Sequence, residues 1–343
     1  MFLLNKFNFL IRVALHAKMR FIMCNRLKIT ANLFFITLFL YSTNTNADTP
    51  ITAWGTPNLQ GVWTAATVTP LERPETLNDK PFLTKEEREV IEKESEEFFL
   101  SRSANPDPGT PGGYNRFWLD PGTVTLDDGR SSLIVEPADG RIPWHPEAKQ
   151  WSDSQSARYG VGPYNDYTDL DTGERCISDG VTMVALQPYN MNYQIVQNED
   201  YIVIAHEMYH EFRIIPLDRR PFVSNKIGLW LGDARAHWEG ETLVIESRNF
   251  AEKDHYYWAW PWRSARKSLK IIERLTRLDE ENMDYQIIVD DPQMFTQSWT
   301  ISAPMTTNQE SRGVTSGPLF EFACHEGNYA LPNVLRGAQS RGQ

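Results

Sequence analysis

The chain has 343 residues, with 34 Lys and Arg against 45 Asp and Glu, a net charge of −11. The first 47 residues hold six bases and no acids, so the remainder carries 28 bases against 45 acids, or −17. That balance argues against nucleic acid or an anionic membrane surface as the main partner, because both need a positive face. With 41% hydrophobic and 23% charged residues, the composition is that of a globular chain rather than a disordered one.

Residues 1–47 read as a leader. Arg26 and Lys28 precede an apolar run, residues 31–41 (ANLFFITLFLY), far shorter than the roughly 20 residues a spanning helix needs. Thr45-Asn46-Ala47 offers a small-residue cleavage site after Ala47, leaving Asp48 first. Met19 and Met23 are alternative starts, and an uncleaved anchor is the rival reading. Either way the body is expected in the periplasm or secreted, with no stable membrane insertion of the mature chain. Cys24 falls in the leader, which leaves Cys176 and Cys324. In an oxidising compartment these two suggest one disulfide worth about 2–4 kcal/mol; two separate buried thiols are the alternative.

Along the mature chain, residues 48–185 read as an N-terminal wrap that belongs to one structural domain with residues 186–343. An opening strand is expected over residues 58–63 (NLQGVW) after the Pro57 turn. Thr84 and Glu87 form a capping box that starts a helix over 84–101. Residues 104–123, rich in Pro and Gly, predict an irregular loop pinned by Tyr114, Phe117 and Trp118. A short strand follows at 131–136, then a second long loop at 157–180. From Asn192 onward, strands are expected at 192–197, 201–215 with a bend, 233–238, 241–247, 268–277, 283–290, 295–303 and 318–324, separated by turn signals such as Glu239-Gly240 and Asp291-Pro292. Sequential antiparallel strands with short turns make a meander, and about eight can close into a barrel. Gly61-Val62-Trp63 is similar to the Gly-x-Trp of a lipocalin first strand. The expected fold is therefore mainly β, an antiparallel meander closing into a lipocalin-like barrel with N-terminal loops and one helix. A β-sandwich is the alternative.

The most conspicuous motif is His206-Glu207-Met208-Tyr209-His210. On a helix it would bind zinc and make a hydrolase, with Glu207 as general base. Its flanks, residues 200–205 (DYIVIA) and 212–216 (FRIIP), are strand formers. On a straight strand the two histidines would stand roughly 13 Å apart, too far to share a metal. The strand reading puts Ile202, Ile204, His206, Met208, His210, Phe212 and Ile214 on one face, apolar but for two histidines, as in a ligand-lined interior. A bend near Met208 would instead put Glu207 and His210 on the same side. Each histidine is equally well read as a satisfied core residue.

Other candidates follow. Asp233, Arg235 and His237 alternate on one strand face before Trp238-Glu239 and could form an acid–base set or cross-strand ion pairs. His325 and Glu326 adjoin Cys324. Trp258, Trp260 and Trp262 stud an aromatic run suited to flat or sugar-like ligands, or to packing over a barrel mouth. No Gly-rich phosphate loop, Gly-x-Ser-x-Gly elbow, Cys-x-x-Cys or haem motif occurs, so no cofactor and no metal are expected.

Taken together, residues 61–64 (GVWT), 174–177 (ERCI), 207–222 (EMYHEFRIIPLDRRPF), 231–250 (LGDARAHWEGETLVIESRNF), 290–299 (DDPQMFTQSW) and 323–329 (ACHEGNY) resemble a large family of uncharacterised exported bacterial proteins. The resemblance covers nearly all of the mature chain and brings no activity. It matches Glu207, His210 and Arg213 but not a histidine at position 206, and it favours Trp238, Glu239, His325 and Glu326 as further positions to test.

The functional expectation is an exported small-molecule enzyme of the lyase, isomerase or hydratase type, acting on an apolar, polycyclic or sugar-like substrate in the barrel. His210 would be acid or base, Glu207 or Glu326 its partner, and Arg213 the stabiliser of developing negative charge, with Tyr209 and His206 contacting substrate. A non-catalytic periplasmic ligand-binding protein is the alternative, and the zinc hydrolase a second one.

Overall fold

Alternating apolar residues generate the β-rich body. In β8 (Lys270–Arg277) and β9 (Asn282–Asp290) every second side chain is buried, including Ile271, Leu275, Met283, Tyr285, Ile287 and Val289. That period-2 pattern fits a strand with one face on a core. The computed structural model describes residues 49–77, 79–102, 120–158, 161–178, 190–251 and 266–341, and Thr49–Gln343 forms one compact unit. The expected leader, the cluster at 114–118 and Trp258, Trp260 and Trp262 lie outside the described residues.

The remaining strands are β1 (Gly61–Thr64), β2 (Ile134–Glu136), β3 (Asn192–Gln197), β4 (Tyr201–His206), β5 (Phe212–Pro216), β6 (Asp233–Glu239), β7 (Thr242–Arg248), β10 (Trp299–Ser302) and β11 (Met305–Thr306). They join one antiparallel sheet in the order β5-β4-β3-β1-β11-β9-β8-β7-β6, with β10 pairing to β9 and to β2. The sheet curls into a nearly closed barrel. β1, from the N-terminal wrap, sits in mid-sheet between β3 and β11.

Alternating strand direction sorts the barrel into two ends. Turns at 198–200, 240–241 and 278–281 gather at a hairpin end. There the Gln197 amide donates to Thr56 Oγ1 and the Pro57 carbonyl, both at 3.1 Å, and accepts from Leu59 N–H at 2.9 Å. Arg277 donates to the carbonyls of Asn58 and Asp279 and lies 5.2 Å from the Trp63 ring centroid. These contacts plug that end. At the opposite, loop end lie the start of β3, the end of β4, the starts of β5, β6 and β8, and the end of β7.

Three α-helices decorate the barrel among the described residues: α1 (Lys85–Arg102), α2 (Pro146–Arg158) and α3 (Ala330–Ser340). The capping box of α1 is formed, with Thr84 N–H donating to Glu87 Oε2 at 2.7 Å and Glu87 N–H to Thr84 Oγ1 at 3.3 Å. The sequence reading misses α2 and α3. Helix α2 is mostly polar and buries little beyond Ala148 and Ser152. In α3, Leu331, Val334, Leu335 and Ala338 do carry the helical i, i+3, i+4, i+7 spacing and pack on Tyr164 and Leu170.

Two strand expectations are corrected. The strand expected at 295–303 shrinks to Trp299–Ser302. Residues 318–324 form no strand, because the amides of Phe320 and Phe322 donate to the side chains of Glu207 and His210 rather than to a ladder.

Candidate functional site at the loop end of the barrel

The expected strand at 201–215 breaks at its motif. β4 ends at His206, a 3-10 turn spans Met208–His210, and β5 starts at Phe212. Tyr209 and His210 adopt positive φ, 60° and 52°, a left-handed conformation that costs a bulky residue roughly 1–3 kcal/mol each unless its surroundings hold it. The holding contacts are identifiable. Glu207, 2% exposed, accepts Phe320 N–H at 2.6 Å and Asn192 N–H at 3.2 Å. His210 Nε2 accepts Phe322 N–H at 3.3 Å. The Tyr209 hydroxyl donates to the Gly173 carbonyl at 3.1 Å, and its ring meets Phe322 edge-on at 4.8 Å.

Because the turn changes the register, one face does not run continuously through both histidines, and that expectation is corrected. His206 and Arg213 point inward; His210, Phe212 and Ile214 are exposed. The bend does place Glu207 and His210 together, both gripping the segment that leads to Cys324. Cys324 and Cys176 lie at disulfide distance, with Cα atoms 5.7 Å apart. A helix carrying the His-Glu-x-x-His ligand geometry is not formed here. Among the described residues no three His, Cys, Asp or Glu side chains cluster as metal ligands would.

A second polar cluster lies inside the barrel beneath this bend. Glu273 on β8 is fully buried and paired with Arg213 on β5: Arg213 Nη1 donates to Oε1 at 3.0 Å and Nη2 to Oε2. Arg213 Nη2 also donates to Ser247 Oγ on β7 at 3.1 Å, and the Tyr285 hydroxyl donates to Glu273 Oε1 at 2.7 Å. Burial works against the charge on Arg213, but Glu273 more than offsets it, so the guanidinium titrates above its ordinary value. The bidentate geometry is the form in which a buried pair best recovers its desolvation cost.

His206 stands diagonally from Arg213, whose cross-strand partner is Ile204. Its ring stacks on Tyr193 at 4.4 Å and 11°, and its Nδ1 lies 3.9 Å from Glu211 Oε2. Two atoms of this cluster, His206 Nε2 and Arg213 Nε, are buried with no hydrogen-bond partner among the described residues. Buried polar atoms left in this state are rare in folded proteins.

The remaining candidates lie elsewhere. Asp233, Arg235 and His237 share one face as expected, joined by Glu239, but it is the outer face of β6; Ala236 and Trp238 face the core. Asp233 accepts Val223 N–H at 2.7 Å, and Arg235 donates to the carbonyls of Arg220 and Pro221, so both fasten the 220–223 segment. Glu239 bonds Arg274 at 2.9 Å and His237 at 3.2 Å, and these two partners hold its carboxyl below the usual range. His325 and Glu326 are exposed beyond Cys324, and among the described residues neither side chain hydrogen-bonds to Glu207 or His210.

The sequence reading did not single out Glu273, Tyr285, Ser247 or Glu211. The signal was present for Glu273: the alternation Ile271, Glu273, Leu275 sets a carboxylate on an otherwise apolar face, as Ile202, Ile204, His206 does for a histidine. No family model, curated protein or solved structure matches this chain.

Proposed function

We propose that this chain is an exported small-molecule-binding protein whose guest lies inside the barrel against Arg213 and His206. One observation carries the reading: Arg213 Nε and His206 Nε2, on diagonal inward positions of adjacent strands, are buried without hydrogen-bond partners among the described residues. Leaving such groups unsatisfied costs about 1–3 kcal/mol each, which a hydrogen-bonding guest recovers. Closed barrels of about eight strands hold either packed side chains or one small ligand. The leader reading and the cysteine pair support export, and no described helix is long and apolar enough to cross a membrane.

A catalytic form of this reading rests on Glu211. A carboxylate near one imidazole nitrogen, with the other nitrogen turned toward a guest, is an arrangement for proton transfer. An acid–base lyase, isomerase or hydratase would then use His206 rather than His210, whose Nε2 is engaged by Phe322. The zinc-hydrolase reading gains no support from a motif that straddles a strand end and a turn.

Native mass spectrometry of the oxidised mature chain tests binding. The expected result is one organic adduct per chain, released on denaturation and absent from His206→Phe, which keeps the ring stack on Tyr193. Equal native and denatured masses, with nothing retained from a soluble cell extract, would contradict the proposal. Chemical change of the released compound by the parent chain, but not by His206→Phe, would select the enzyme.

A further inference from the structure

The charges around the orphaned atoms restrict the guest. Arg213 carries +1, but both its Nη atoms are committed to Glu273, and its Nη2 also to Ser247. Glu211, with its side chain only 10% exposed, adds a second carboxylate 3.9 Å from His206 Nδ1. With His206 neutral the four groups sum to −1; with His206 protonated they sum to zero. In neither state is there positive charge to spare for an anion. Bringing a carboxylate or phosphate into this buried cluster would leave it uncompensated, the most costly state for a buried charge.

The cluster does offer directed hydrogen-bond donors. Arg213 Nε always carries a proton. With the Glu211 carboxylate beside His206 Nδ1, the neutral ring keeps its proton there and Nε2 accepts, whereas in the imidazolium Nε2 donates. With no net positive charge in either state, this pair suits a neutral oxygen: a hydroxyl with either form of the ring, or the carbonyl of a ketone, ester or amide with the imidazolium. Apolar and aromatic side chains flank the polar cluster: Tyr193 stacks on His206, and the buried Ile204 lies cross-strand from Arg213 and two residues from His206. We infer that the guest is an uncharged, mainly hydrocarbon molecule with a carbonyl or hydroxyl oxygen seated between Arg213 Nε and His206 Nε2, and that acids of the same shape are rejected. This inference rests on the binding reading above and names its ligand class.

Two shape-matched pairs test it: cyclohexyl methyl ketone with cyclohexanecarboxylate, and 2-acetylnaphthalene with 2-naphthoate. Each probe is titrated at neutral pH into the oxidised ¹⁵N-labelled chain, following the side-chain resonances of Arg213 Nε and His206, assigned through Arg213→Lys and His206→Phe. The expected result is that at least one ketone shifts both resonances and binds tenfold or more tighter than its carboxylate. Tighter binding by the carboxylates, with the same resonances shifting, would overturn the neutral-guest inference while leaving the site in place. If no probe moves either resonance, the site itself fails and the inference fails with it.

Discussion

Arg213 and Glu273 meet across the barrel from β5 to β8, so each depends on the other more than on its own strand. Replacing Arg213 with Met strands a fully buried carboxylate. The expected loss of stability is about 3–5 kcal/mol, and the Glu273→Leu change made with it should restore a large part. Urea unfolding of the two single variants and the double checks this; strictly additive losses would show that the pair is not a coupled unit. A second residue gives a pH signature. Burial raises the Glu174 carboxyl above its ordinary 4.5, against the Asp171 amide and the Arg175 charge. For an acid raised in the folded state, the associated stability is full below pH 4.5 and is lost as pH climbs through the raised value. Glu174→Gln should therefore flatten the decline in thermal midpoint between pH 4.5 and neutrality, and an unchanged slope would contradict that assignment.

The bend between β4 and β5 shows what a strand pattern can and cannot convey. The alternation in residues 201–206 (YIVIAH) and again in 212–216 (FRIIP) is plain, and both strands form. What breaks between them is set by distant partners, the amides of Asn192, Phe320 and Phe322, which no local pattern reveals. For the same reason residues 318–324 look like a strand in sequence yet serve as a strap. Conversely, Glu273 was legible as a carboxylate on an apolar face, and His206 as a histidine on one. Their pairing with Arg213 and Glu211 was not, because it depends on how the sheet curls. Glu207 should act chiefly on the strap. In Glu207→Ala the buried Asn192 amide loses its acceptor, with an expected cost of about 1–3 kcal/mol, and amide exchange should quicken at Asn192 and Phe320 while β8 and β9 stay protected. Uniform acceleration through β8 and β9 would mean instead that the bend is part of the global core.

At the scale of the molecule, the barrel is plugged at its hairpin end by Arg277, Gln197 and the 56–59 segment. At the loop end, the strap and the cysteine pair gather around the bend. Cys176 and Cys324 are separated by 148 residues, so a bond between them ties the 170s loop to the C-terminal segment. Its loss in Cys324→Ser should lower stability by about 2–5 kcal/mol, measured by denaturant unfolding under oxidising conditions; stability equal to the parent chain would show that the tether constrains nothing. Arg213 and His206 lie at this same end of β5 and β4. The most direct measurement is a high-resolution crystal structure of the oxidised chain purified from the cells that make it. The account predicts density for a small organic molecule with an oxygen within hydrogen-bonding distance of both Arg213 Nε and His206 Nε2. A tightly packed interior, with both atoms facing only protein carbon, would contradict it.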